Sequence, residues 1–246
     1  MRRAIHEHPL LMNRRLDVVT ATVLLVLAAV IFALMASSGT RDLVQRVDEA
    51  AARWFVSVRW EPLTGLAHVL NVLGSVWVTL PVRLAVGAYL AITGRRWHLL
   101  AFVVAMVLSE VAVTVLKSAY DRSRPEGPLV ETSGASFPSG HAVAASVTAV
   151  ALVIALFPPT GLRRWLWGAA AAVFAFAMAL SRAYLAAHWL SDAIAGTFLG
   201  VSIALITALV VERIRGPDVD GSPRPARRTP PDGGPARLRR GGRGGR

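Results

Sequence analysis

Six stretches of this chain, at about 18–37, 75–93, 98–116, 141–157, 165–182 and 189–211, are close to the ~20 apolar residues that a helix needs to cross a bilayer. Such segments leave few folds open. Backbone polar groups in hydrocarbon must be satisfied within each segment, so the expected architecture is an all-α bundle of six transmembrane helices. Composition agrees, with 54% apolar residues and mean hydropathy +0.50 in 246 residues. A soluble domain of that kind would expose large adhesive surfaces.

The first apolar stretch, from about Val18 to Met35, is too long for a secretory signal core of ~7–15 residues, so it is expected to remain as the first span. Between it and the second span, Leu43, Val47, Ala50, Trp54 and Val58 recur at three- and four-residue steps among charged residues. That spacing predicts an interfacial amphipathic helix over 43–60, ended by Glu61-Pro62. Residues 62–74 are apolar but short, and suit a half-helix at the interface or an extension of the second span. Trp54, Trp60, Trp97, Trp165, Trp167 and Trp189 fall near proposed segment ends, as an aromatic belt requires.

The formal charge of +12 is concentrated at the two ends of the chain. Residues 213–246 hold ten Arg against three Asp, and residues 1–16 hold four Arg against Glu7. This placement fits cytoplasmic anchoring rather than nucleic-acid binding, and a basic tail suits anionic lipid headgroups. The expected organisation is a basic cytoplasmic arm (1–16), a membrane domain (17–212) and a disordered Arg/Gly/Pro-rich cytoplasmic tail (213–246). With six spans, Arg14-Arg15, Arg95-Arg96, Arg163-Arg164 and the tail share the cytoplasmic side. Residues 117–140 and 183–188 then share the opposite one. A multi-pass protein of a bacterial plasma membrane fits this pattern. The chain has no cysteine, which removes disulfides, thiolate catalysis and cysteine-ligated metals.

Three clusters lie on that opposite side. Lys117 ends the third span, and Arg124-Pro125 follows seven positions on. A lysine there could be a snorkelling terminus, but together the two supply a mobile point charge and a planar fork suited to phosphate oxygens. Pro138-Ser139-Gly140-His141 opens the fourth span. Ser139 suits an N-cap, Gly140 permits close approach to the backbone, and a helix N-terminus favours an anion. A capping role explains the serine but not the histidine. Ser181-Arg182 ends the fifth span, and His188 and Asp192 are four residues apart, which on a helix would put them on one face. Each cluster alone has an ordinary explanation, but three cations, two imidazoles and a carboxylate at one mouth suit metal-free phosphoryl transfer.

These three clusters resemble the signature motifs of the type-2 phosphatidic acid phosphatase family. That family takes in membrane lipid phosphate phosphatases, bacterial class A acid phosphatases and vanadium haloperoxidases. Every signature position is occupied across 117–192, and the span pattern extends the similarity over about 18–211. The resemblance implies that His188 attacks phosphorus to form a phosphohistidine, with Asp192 orienting it. It implies that His141 protonates the leaving oxygen and then activates water. Lys117, Arg124, Arg182, Ser139 and the Gly140 N–H would hold the phosphate, with no metal and no cofactor. Asp121, Glu126 and Glu131 read as solvated loop charges.

The substrate class so implied is a lipid phosphate monoester or diphosphate, such as phosphatidic acid, phosphatidylglycerol phosphate or undecaprenyl diphosphate, met at the extracytoplasmic leaflet. A non-catalytic lipid-phosphate binder or transporter, and a lipid phosphotransferase, remain as alternatives. Arg83 and Glu110 lie inside apolar runs, where a lone central charge costs at least ~2.5–3.5 kcal/mol on insertion scales. Pairing between the second and third spans is the simplest expectation for them, and lining a lipid cleft is the alternative. His68 and Asn71 are further candidates to face that opening.

Overall fold

The computed structural model describes residues 7–11 and 13–216, in which there are eight α-helices and no strand. The helices are α1 (Arg14–Ala36), α2 (Ser38–Ser57), α3 (Glu61–Leu73), α4 (Val76–Ile92), α5 (Arg96–Tyr120), α6 (Gly140–Leu156), α7 (Leu162–Tyr184) and α8 (Leu190–Arg215). Each of the six apolar stretches is occupied by one of α1 and α4–α8. By length and composition, α1, α5, α7 and α8 can each cross a membrane. α3 and α4 meet at a 47° bend and together make a fifth candidate span. α6 is apolar but only 17 residues long.

Local chemistry explains several boundaries. The Asn13 side chain accepts from the backbone N–H groups of Arg15 and Leu16, capping α1. Pro62 sits in the first turn of α3, where its missing N–H costs nothing. α8 runs past the expected end of the membrane domain into 213–215. Its last-turn Arg213 and Arg215 suit the negative end of the helix dipole. Arg215 also donates to the carbonyls of Glu7 and His8. The expected tail beyond residue 216, and residues 1–6 and 12 of the arm, lie outside the described residues.

Small residues set the core. α6 packs against α5, α7 and α8, and α1 lies along α8. A Cβ built on Gly200 of α8 would overlap Ser146 Oγ and stand 2.7 Å from the Val143 carbonyl oxygen of α6. One built on Gly196 would meet the Ser139 carbonyl at 2.8 Å. Paired small residues of this kind let two backbones approach closely where lipid supplies no hydrophobic drive between helices. The approach brings the start of α6 against the start of α8, and Ser139 N–H donates to the Asp192 carbonyl at 3.1 Å.

The basic loops gather at the other end of the bundle. Arg95 donates to the Ala155 carbonyl, and Arg164 to those of Val153, Phe157 and Leu10. Leu10 and Leu11 are buried among Ala101, Ile154 and Leu205, so part of the N-terminal arm is built into the bundle. α2 lies at the end that carries the three clusters. It buries Asp48 and Phe55, while Leu43, Val47 and Trp54 from the expected apolar stripe point away from the protein.

Candidate active site

The three clusters converge where α5, α6, α7 and α8 meet. Loop 121–139 leaves α5 through Asp121, whose left-handed φ of 38° turns the chain. Its 133–135 segment offers a row of carbonyls that hold the cations. Lys117 Nζ donates to the Ala135 carbonyl. Arg124 donates from Nε to Gly134 at 2.9 Å, and from its terminal nitrogens to Ser133 at 2.7 Å and Ala187 at 2.6 Å. Ser139 caps α6 by accepting from the Ala142 N–H at 3.4 Å, which leaves Gly140 and His141 in the first turn.

Arg182 is buried on α7. One terminal nitrogen donates to Asn71 Oδ1 at the end of α3, while its Nε is buried with no protein partner. A buried guanidinium N–H without a partner is costly, and an anion oxygen is the complementary group. His141 stands beside the same end of α3. A Cβ on Gly74, at the α3–α4 bend, would stand 3.1 Å from the His141 ring. A cavity of about 500 Å³, lined by Leu73, Val78, Ala145, Thr148 and Trp167 among others, runs down from this bend between α4, α6 and α7.

His188 and Asp192 do not share a helix face, contrary to the reading of their spacing. His188 lies in the turn after α7, and α8 begins at Leu190. Ala186 adopts a left-handed φ of 52°, and Asp192, three residues into α8, accepts from the Trp189 N–H at 3.0 Å. The helix therefore starts after His188, and the turn rather than helical periodicity brings the pair together. The Asp192 carboxylate stands 3.7 Å from His188 Nδ1. The nearer partner of Nδ1 is the Ser136 carbonyl, at 2.8 Å. A carbonyl only accepts, so Nδ1 carries the proton and Nε2 keeps its lone pair. Arg124 lies 3.3 Å from that Nε2. Burial pushes the imidazole down from the usual histidine range to about 4, against the opposing pull of Asp192.

Sequence reasoning missed four participants. Ser136 Oγ donates to Asp192 at 2.5 Å, and Arg122 does so at 2.6 Å. On its other side Arg122 pairs with Asp48 of α2 at 2.7 Å, and Ser191 binds that same carboxylate. The only available signal was a second arginine two residues before Arg124, and nothing in the chain linked it to residue 48. Arg83 and Glu110 are paired at 2.7 Å, with Arg83 also donating to Thr148. Asp121, Glu126 and Glu131 are exposed, and no cluster of metal-binding side chains occurs among the described residues.

A family model described as the PAP2 superfamily matches residues 98–215. The chain is 30% identical over 194 residues to phosphatidylglycerophosphatase B of Bacillus subtilis (strain 168), spanning 75% of this chain and 93% of the relative. It is 31% identical over 156 residues to an undecaprenyl-diphosphatase of Sulfolobus acidocaldarius, spanning 60% of this chain and 70% of that one. The crystal structure of a transmembrane PAP2-type phosphatidylglycerolphosphate phosphatase from Bacillus subtilis superposes with a TM-score of 0.69 and 28% identity. It covers 79% of this chain and 97% of its own. Aquifex aeolicus LpxE shares the fold, with a TM-score of 0.51 at 24% identity over 66% of this chain and 92% of its own.

Proposed function

Because the chain belongs to the PAP2 superfamily, and its relatives are membrane lipid phosphatases, we propose that it hydrolyses a phosphate monoester or diphosphate of a membrane lipid through a phosphohistidine. The observation that carries this reading is the state of His188: a ring held by Nδ1–H to the Ser136 carbonyl, with its Nε2 lone pair facing Arg124. A phosphate binder needs the cations but has no use for a poised imidazole.

In this mechanism His188 Nε2 attacks phosphorus as the bond to the lipid oxygen breaks. His141 gives that oxygen its proton. Water then attacks the phosphohistidine, His141 takes up the water's proton, and Nε2 is released. Lys117, Arg124, Arg182, Ser139 and the Gly140 N–H spread the equatorial charge. In a loose transition state such positioning and charge stabilisation supply most of the catalysis. The unpartnered Arg182 Nε is the donor best prepared for a phosphate oxygen.

The proposed topology has six spans, with α3–α4 as one bent span and α6 as a short one at the centre of the bundle. α2 lies in the interface with Leu43, Val47 and Trp54 toward lipid. The gathering of Arg95, Arg164 and Arg215 at the end opposite His141 and His188 supports a cytoplasmic basic side, both termini cytoplasmic and an extracytoplasmic site. The membrane domain is proposed as 17–212, with a basic arm before it and a tail after it that contacts anionic lipid.

The test is phosphate release in detergent with EDTA from phosphatidic acid, phosphatidylglycerol phosphate and undecaprenyl diphosphate. Metal-independent release by the wild type, abolished in His188→Ala, is the expected outcome, and the preferred lipid names the substrate. Release that survives His188→Ala removes the histidine from the nucleophile's role, and no release from any lipid favours a binding protein.

A further inference from the structure

Behind the proposed nucleophile lies a buried charged network of Arg122, Asp48 and Asp192, none of them among the residues proposed to hold phosphate. Arg122 is 8% exposed, Asp48 2% and Asp192 0%. One terminal nitrogen of Arg122 donates to Asp192 Oδ1 at 2.6 Å and to Ser191 Oγ at 2.8 Å. The other donates to Asp48 Oδ2 and to Gln45 Oε1, both at 2.7 Å. The guanidinium lies over the Trp189 ring, 5.4 Å from its centroid. Asp48 Oδ1 accepts from the Ser191 N–H at 2.9 Å, one residue before Asp192.

Stability alone is a poor reason for this arrangement. A buried ion pair seldom outperforms well-packed apolar residues, and here two carboxylates share one cation. The charge balance suggests another purpose. Arg122 alone would neutralise Asp192 and leave little field at His188. Asp48 occupies the far side of the guanidinium, so the trio keeps a net charge of about −1 beside the imidazole. When Nε2 bonds to phosphorus and the lipid oxygen leaves with a proton from His141, the ring retains Nδ1–H and becomes cationic. The carboxylate already stands 3.7 Å from Nδ1 before transfer begins, in place for the charge that develops during it.

We propose that Arg122 and Asp48 are positioning residues for the nucleophile: Arg122 fixes the Asp192 carboxylate, and Asp48 preserves the negative charge that stabilises the phosphorylated imidazole. This rests on His188 as nucleophile. It gives α2 a part in catalysis, because a helix whose apolar side chains point outward supplies the charge that the site needs.

The test uses the full chain in detergent, with Asp48→Asn as the near-isosteric variant. Its kcat is expected to fall about 10–100-fold, the range typical of residues that orient a catalytic ligand, with KM within about twofold. Orthovanadate, which forms a trigonal bipyramid on an imidazole nitrogen, should bind more weakly by a similar factor, while inorganic phosphate binds about as before. Arg122→Lys, which keeps a cation but loses the fork, should show the same split to a smaller extent.

Asp48→Asn activity within about twofold of the wild type overturns the proposal. So does a joint loss of phosphate and orthovanadate affinity, which signals collapse of the site. Should Asp48→Asn not fold, Arg122→Lys decides: a kcat within about twofold of the wild type overturns the proposal equally. A wild type that releases no lipid phosphate and binds no orthovanadate instead removes the phosphatase reading on which the proposal stands.

Discussion

His188 is held by its Nδ1–H to the carbonyl oxygen of Ser136 at 2.8 Å, a contact made by backbone rather than by the carboxylate four residues on. The tautomer that leaves Nε2 free is therefore built into loop 121–139. In 15N NMR of selectively labelled protein, His188 should report a neutral ring protonated at Nδ1 at pH 7.

The same burial fixes a pH dependence. The folded imidazole titrates near 4 and an ordinary histidine near 6.5, so between those values the unfolded chain binds a proton that the folded chain does not. Stability contributed by this site is constant above about pH 6.5 and falls as pH drops toward 4. His188→Gln should narrow the difference in Tm between pH 7 and pH 5 relative to the wild type. The acidic limb of kcat/KM set by His188, the proposed nucleophile, should lie well below 6.5.

Ser136→Ala removes the hydroxyl that donates to Asp192 but leaves the carbonyl that holds His188. Loss of one charge-assisted hydrogen bond, about 1.5–3 kcal/mol, predicts a kcat lower by roughly one to two orders of magnitude. The His188 tautomer should not change.

Arg182→Lys keeps a charge at the proposed phosphate site but deletes the buried Nε and the fork. Removing one donor aimed at developing charge typically costs about 10²–10³ in rate, and a fall of that size in kcat/KM is expected.

Gly200→Ala drives a methyl into Ser146 and the α6 backbone, and should destabilise the detergent-solubilised protein by about 1–3 kcal/mol. Gly87→Ala on α4, where a Cβ meets nothing within 4 Å, is the matched control and should not lower Tm.

The helical segments and the positions of the three clusters could be read from the chain because each is a local property. A run of apolar residues answers to bilayer thickness, and Ser139 before Gly140-His141 announces its own cap. The 47° break between α3 and α4 showed only as a short apolar stretch, because a bend depends on what the two halves pack against. His188–Asp192 shows how spacing can mislead: four residues suggested one helical face, yet the helix begins between them.

An all-helical membrane chain with basic ends and three chemically loaded helix termini is legible in the residues without a structure, since hydropathy, charge and capping act over a few residues. Tertiary structure alone decided that Ser136 sets the His188 tautomer, that Asn71 meets Arg182, and that Asp48 reaches Arg122. Asp48 and Arg122 are 74 residues apart, and their pairing follows from where α2 docks against the start of α8. Close contact between Gly200 and α6 fixes that frame, and no local pattern encodes a distance between helices.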